Sequence, residues 1–68
     1  MFKILNEYTI HDQRTLNALS KRYNFIYDKT WDYVTKYDVT DMELNGRKFK
    51  IKYIDGCIFP YIVEINNT

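Results

Sequence analysis

Two glycine-containing dipeptides, Asn45-Gly46 and Asp55-Gly56, constrain this chain more than any other feature in it. A two-residue hairpin loop needs positive φ at its centre, which Asn-Gly and Asp-Gly supply at low steric cost. Each dipeptide stands between runs of β-branched and aromatic residues of alternating polarity, so the stretch from Val39 to Ile65 predicts two consecutive hairpins, a three-stranded antiparallel meander. Taking Asn45-Gly46 as a two-residue loop sets the register: Leu44 opposite Arg47, Glu43 opposite Lys48, Met42 opposite Phe49 and Asp41 opposite Lys50. Met42, Leu44, Phe49, Ile51 and Tyr53 then share an apolar face, and the same treatment of Asp55-Gly56 adds Ile58, Pro60 and Ile62 to it. The other face carries Lys48, Lys50 and Lys52, flanked by Asp41 and Glu43 on one side and by Phe59, Tyr61 and Val63 on the other. Such a mixed face suits either a contact surface or a seat for a helix with lysine stems spread around it. Pro60 cannot donate to a ladder and predicts a bulge or an edge position nearby.

Upstream, Met1 to Tyr8 alternates in polarity and predicts a short strand. Thr9-Ile10-His11-Asp12 has the spacing of a helix start, with Thr9 as N-cap and an acid in the first turn. Leu16, Leu19 and Tyr23 recur at helical spacing, Lys21 and Arg22 suit a last turn, and Asn24 suits a C-cap. The segment from Phe25 to Asp38 supports two readings. Its β-branched and aromatic content favours a strand, which would bring Trp31, Tyr33 and Tyr37 onto the mixed face with Lys48, Lys50 and Tyr61. The competing reading is a short helix capped by Asp28 or Thr30, with Trp31, Val34 and Tyr37 as a buried stripe. The tail Asn66-Asn67-Thr68 is polar and is expected to fray. The whole predicts one α+β domain over residues 1–68, an N-terminal strand and one amphipathic helix packed on a small antiparallel sheet.

At 68 residues the chain has room for one core. A chain of this size buries only about 60% of its unfolded surface, so large rings are needed. Aromatics at 18% answer that need, and a homodimer would bury more. A net charge of +1 does not favour a protein built around phosphate backbones. The single cysteine, Cys57, excludes an intrachain disulfide framework and fits a reducing compartment. Lys3 and Glu7 break any signal-peptide pattern in Met1 to Ile10, and no apolar run approaches the roughly 18 residues of a membrane span. The expectation is a soluble cytoplasmic protein without a membrane partner.

Candidate chemistry is sparse. His11 is the sole histidine and lies far along the chain from Cys57, which leaves neither a zinc ligand set nor a nucleophile with its base. The acids are scattered, and both glycines serve turns, leaving none for a phosphate loop. No catalytic, cofactor-binding or metal-binding residue is assigned, and a non-enzymatic protein is expected. The candidate partner-binding residues are Trp31, Tyr33, Tyr37, Phe59 and Tyr61 as anchors, with Lys48, Lys50 and Lys52 at the rim setting orientation and on-rate. The same rings and lysines also fit a small single-stranded nucleic-acid binder, although Glu43 and Asp41 opposite Lys48 and Lys50 cancel much of the field a polyanion would feel.

Lys48-Phe49-Lys50-Ile51-Lys52-Tyr53-Ile54-Asp55-Gly56 followed by Phe59-Pro60-Tyr61-Ile62-Val63 resembles the late strands of small SH3-like barrels. The small size, the bias towards lysine, isoleucine, asparagine and tyrosine, and the lack of an active-site motif resemble the small host-takeover proteins of bacteriophages. That resemblance implies a stoichiometric inhibitor or modulator whose partner is a larger host protein of replication, transcription or defence, met in the cytoplasm of the host cell.

Overall fold

The computed structural model describes residues 5–10 and 12–67. Expectations for Met1 to Ile4, His11 and Thr68 lie outside the described residues. The chain is α+β. In order come β1 (Leu5–Thr9), α1 (Gln13–Tyr23), β2 (Ile26–Asp28), β3 (Tyr33–Lys36), β4 (Asp41–Leu44), β5 (Arg47–Lys52) and β6 (Tyr61–Asn67). Four strands form an antiparallel sheet in the order β1-β6-β5-β4, and β2-β3 is a separate hairpin. The curl into an SH3-like barrel is not completed among the described residues, since β1 and β4 stand as the two edges of the larger sheet.

The first hairpin has the expected register, from Asp41↔Lys50 to Leu44↔Arg47. Asn45 at φ 51° and Gly46 at φ 81° make its loop, as a turn with two left-handed central residues requires. The second hairpin pairs the expected strands with a different loop. Lys52 faces Tyr61 and Ile51 faces Ile62, a register two residues away from that of a two-residue Asp55-Gly56 loop. Asp55-Gly56 is instead a local turn, closed by Cys57 N–H donating to Ile54 C=O at 2.9 Å, inside the longer connection 53–60. Because side chains alternate with period two, a shift of two leaves the faces of the sheet intact. What changes is the loop: Tyr53 and Ile58 leave the core face and are exposed, Ile58 to 82%. Pro60 is buried just ahead of β6, with its carbonyl accepting from Val34 N–H at 2.9 Å, where β3 meets the larger sheet.

Asp12, and not Thr9, caps α1: its carboxylate accepts from Arg14 N–H at 3.1 Å and from the Thr15 hydroxyl at 2.7 Å. Those two bonds hold the Asp12 carboxyl below the ordinary carboxylate range, the Thr15 hydroxyl contributing most. The helix starts later than expected because Ile10 N–H is drawn into the sheet by Ile62 C=O, 2.9 Å away. At the other end Asn24 takes φ 56° and its N–H returns to Ser20 C=O, as a left-handed C-cap does. Leu16 and Leu19 are buried against Met42, Phe49, Ile51 and Ile62, with Ile10, Phe25 and Val34 completing the core. Thus α1 covers the apolar face of the sheet and leaves the lysine face to solvent. Tyr23, on the same side of α1, bridges to the edge strand: its hydroxyl donates to Glu43 C=O at 3.2 Å and accepts from Glu43 N–H at 3.0 Å. The tail that was expected to fray is paired, Asn66 and Asn67 lying opposite Asn6 and Leu5.

Candidate functional site

The segment with two readings contains part of each. Asp28 closes one helical turn: its carboxylate accepts from Thr30 and Trp31 N–H, and its carbonyl accepts from Asp32 N–H at 2.8 Å. Asp32 leaves that turn at φ 60°, and Tyr33 then begins β3. The turn pushes Trp31 outward. Its indole is 67% exposed, neither stacked along a strand nor buried under a helix.

Across from this turn lies the connection between β5 and β6. Phe59 stacks on Tyr33 with ring centroids 4.3 Å apart and planes 10° apart. Trp31, Tyr33, Phe59 and Tyr61 together line an open cleft of about 370 Å³. Phe59 remains 48% exposed despite the stack. At one side of the cleft the neighbouring Cys57 thiol raises the Tyr61 phenol above its ordinary range, with desolvation adding to the shift.

Of the expected partner-binding residues, four therefore converge: Trp31, Tyr33, Phe59 and Tyr61. Tyr37 does not join them. It follows β3 and packs, half-buried, against the hydrophobic core, because the chain leaves the strand direction after Lys36. The lysines occupy the expected face, two of them as paired charges. Lys52 Nζ meets Glu7 Oε2 at 2.6 Å, and Lys50 Nζ meets Asp41 Oδ1 at 3.7 Å. Lys48 is exposed opposite Ile65. Val63, between Lys50 and Thr9 in the register, is nevertheless buried. Lysine stems over an apolar strand residue account for a mixed face that needs no helix above it.

A second cluster was not anticipated. Glu64 lies on the core side of β6 and is 5% exposed. Arg47 grips it with two charge-assisted bonds, Nε to Oε2 at 2.8 Å and Nη2 to Oε1 at 2.6 Å, while Tyr8 donates its hydroxyl to Oε1 at 2.7 Å. The Arg47 bonds hold the Glu64 carboxyl below its ordinary range against the opposing effect of burial, and in return the guanidinium is held more tightly protonated. Arg47 also lies over the Phe49 ring, 5.1 Å from its centroid. One signal in the chain pointed here: Glu64 stands at a core-phase position of an alternating strand, and continuing the register of β5 brings Arg47 onto the same face. The outward position of Trp31 carried no such signal, since it depends on the turn that Asp28 closes.

Among the described residues no group of histidine, cysteine, aspartate and glutamate is arranged to hold a metal ion, and no helix is long and apolar enough to cross a membrane. What the site offers chemically is an open, largely apolar cleft of aromatic rings with two tyrosine hydroxyls. Comparison with protein-family models, curated proteins and solved structures found no match to this chain.

Proposed function

We propose that the chain is a small non-catalytic module that binds, and thereby inhibits or modulates, a larger host protein of replication, transcription or defence. The observation that carries this reading is the convergence of Trp31 and Tyr33, at the entry to β3, with Phe59 and Tyr61, at the entry to β6, into one exposed cleft. Tryptophan and tyrosine are the residues that most often dominate interface energetics, and a partner covering the exposed part of Trp31 would recover on the order of 3 kcal/mol of hydrophobic free energy. The pairing of Lys50 and Lys52 with acids supports a protein partner over the alternative, a single-stranded nucleic acid, for which free cations are the main source of affinity.

The test is retention of partners by the tagged protein from its native cell extract, with and without nuclease. Trp31→Ala and Phe59→Ser are expected to release a stoichiometric, nuclease-resistant protein, whereas Lys50→Glu retains it. Both aromatic side chains are exposed, so these variants keep the fold. Loss of all partners on nuclease treatment would transfer the function to nucleic acid. A fixed oligomer by light scattering with nothing else retained would make the cleft a contact between copies of this chain.

A further inference from the structure

The two edges of the larger sheet, β4 and β1, differ in how they are covered. On β4 the Tyr23 hydroxyl takes both backbone groups of Glu43, the N–H at 3.0 Å and the C=O at 3.2 Å, so an incoming strand finds that edge occupied. At the other edge, β1 has no strand on its outer side among the described residues. Its register on β6 runs unbroken from Leu5↔Asn67 to Thr9↔Val63, and Ile10 N–H donates to Ile62 C=O just beyond. In an antiparallel ladder, directly opposed residues exchange bonds at every second position. Continuing that alternation back from Ile10 turns the backbone groups of Tyr8 and Asn6 toward β6, and those of Glu7 and Leu5 away from the sheet.

The devices that commonly blunt an edge are missing from β1: Leu5-Asn6-Glu7-Tyr8-Thr9 has no proline, lysine or bulge. Its one charge, Glu7, is held by Lys52 Nζ at 2.6 Å and so repels little. Tyr8 is fixed through its hydroxyl to Glu64 yet leaves its side chain 47% exposed. A hollow of about 450 Å³ follows the strand from Glu7 to Thr9, with Tyr53 and Ile54 in its wall. Apolar surface therefore flanks the outward backbone groups.

We infer that β1 pairs antiparallel with β1 of a second copy, joining two four-stranded sheets into one of eight strands. A second copy brings a strand of the same length with an equally open edge, so an isologous pairing satisfies both at once. Two chains of net charge +1 repel each other little. The joined sheet then ends in β4 on both sides, each covered by Tyr23, and assembly stops at two. A 68-residue domain with one small core gains stability from the added burial. This seam is separate from the aromatic cleft, none of whose lining residues lies on β1, and the dimer carries two such clefts.

The test is sedimentation equilibrium of the full chain up to millimolar concentration, with amide hydrogen exchange followed by NMR over the same range. Twice the chain mass is expected. With it should come a concentration-dependent slowing of exchange at Glu7 N–H, while Tyr8 N–H, bonded to β6, is protected throughout. Glu7→Pro removes a donor that the ladder with β6 does not use, which an edge strand tolerates, and should give a folded monomer. A synthetic chain methylated on the Glu7 backbone nitrogen should do the same while keeping the carboxylate on Lys52. Trp31→Ala should leave the dimer intact.

A monomer throughout the range overturns the inference, as does a dimer in which Glu7 N–H exchanges as fast as in dilute solution. A dimer that survives both Glu7 variants in folded form, or one that dissociates with Trp31→Ala, places the contact elsewhere and overturns it too. Polymers of no fixed size would also overturn it, since they need a β4 edge that Tyr23 leaves open. If Glu7→Pro unfolds the chain, exchange at Glu7 in the native protein decides alone.

Discussion

Replacing Arg47 by alanine would strip a buried carboxylate of its cation. Glu64 would stay on the core side of β6 with only the Tyr8 hydroxyl as a charge-stabilising neighbour. Breaking a fully buried ion pair from one side costs about 3–5 kcal/mol. The Arg47 side chain is 45% exposed, so water partly replaces it, and a loss of about 2 kcal/mol is the better expectation. A domain of this size has roughly 3–10 kcal/mol in total, so the loss is a large fraction of its stability. With a urea slope of about 1 kcal/mol per M, the midpoint followed by far-UV circular dichroism should fall by about 2 M. The effect should also depend on pH in a definite direction. In the native protein the Glu64 carboxyl titrates below its unfolded value, so its contribution is complete above the unfolded pKa and is lost as pH falls through the folded one. Without Arg47, burial dominates and pushes the carboxyl up, so the variant recovers relative to the native protein once Glu64 accepts a proton. The gap between the two should be wide at pH 7 and narrow at pH 3. Arg47→Met combined with Glu64→Leu should restore most of the stability at pH 7, because no charge then remains buried. An equal gap at both pH values, or a loss below about 0.5 kcal/mol at pH 7, would refute the reasoning that Glu64 depends on Arg47.

Other consequences follow from the loops and the sheet edge. Gly46→Ala should cost about 1 kcal/mol by urea unfolding from backbone strain alone, since φ is +81° and no atom lies within 4 Å of an added Cβ. Ile58→Ser should change stability by less than about 0.5 kcal/mol, while Ile62→Ala should cost about 2–4 kcal/mol. Comparable losses at both positions would favour a tight Asp55-Gly56 hairpin over the observed register. Tyr23→Phe should cost about 1 kcal/mol and leave the Glu43 backbone groups at the β4 edge without their hydroxyl bridge. Sedimentation at rising concentration would then report increased self-association. Asp12→Ala should lower the melting temperature at pH 7, with the difference vanishing as pH falls through the depressed Asp12 pKa, because the protonated cap no longer accepts with full charge.

Local chemistry made much of this protein legible in the chain itself. Asn45-Gly46 set the register of β4 on β5 because a two-residue loop with two left-handed residues leaves no freedom to slip. Leu16 and Leu19 marked the buried side of α1, and Asn24 its end, through spacing and capping that need nothing from elsewhere. Even the misplaced Asp55-Gly56 loop left the faces of the sheet correct, since its error was an even number of residues. Tertiary structure decided the rest. Whether Asp55-Gly56 closed a hairpin or sat inside a longer loop depended on Pro60 being taken up by Val34 of β3, a contact between segments 26 residues apart in the chain. Whether Trp31 and Phe59 shared a surface depended on that same docking, and the placement of Tyr37 against the core followed from it. The burial of Glu64 required Arg47 and Tyr8 from two other strands. Turns and caps are settled by neighbours within a few residues, but a cleft or a buried ion pair exists only once distant segments have packed, and the free energy that selects it is absent from any one of them.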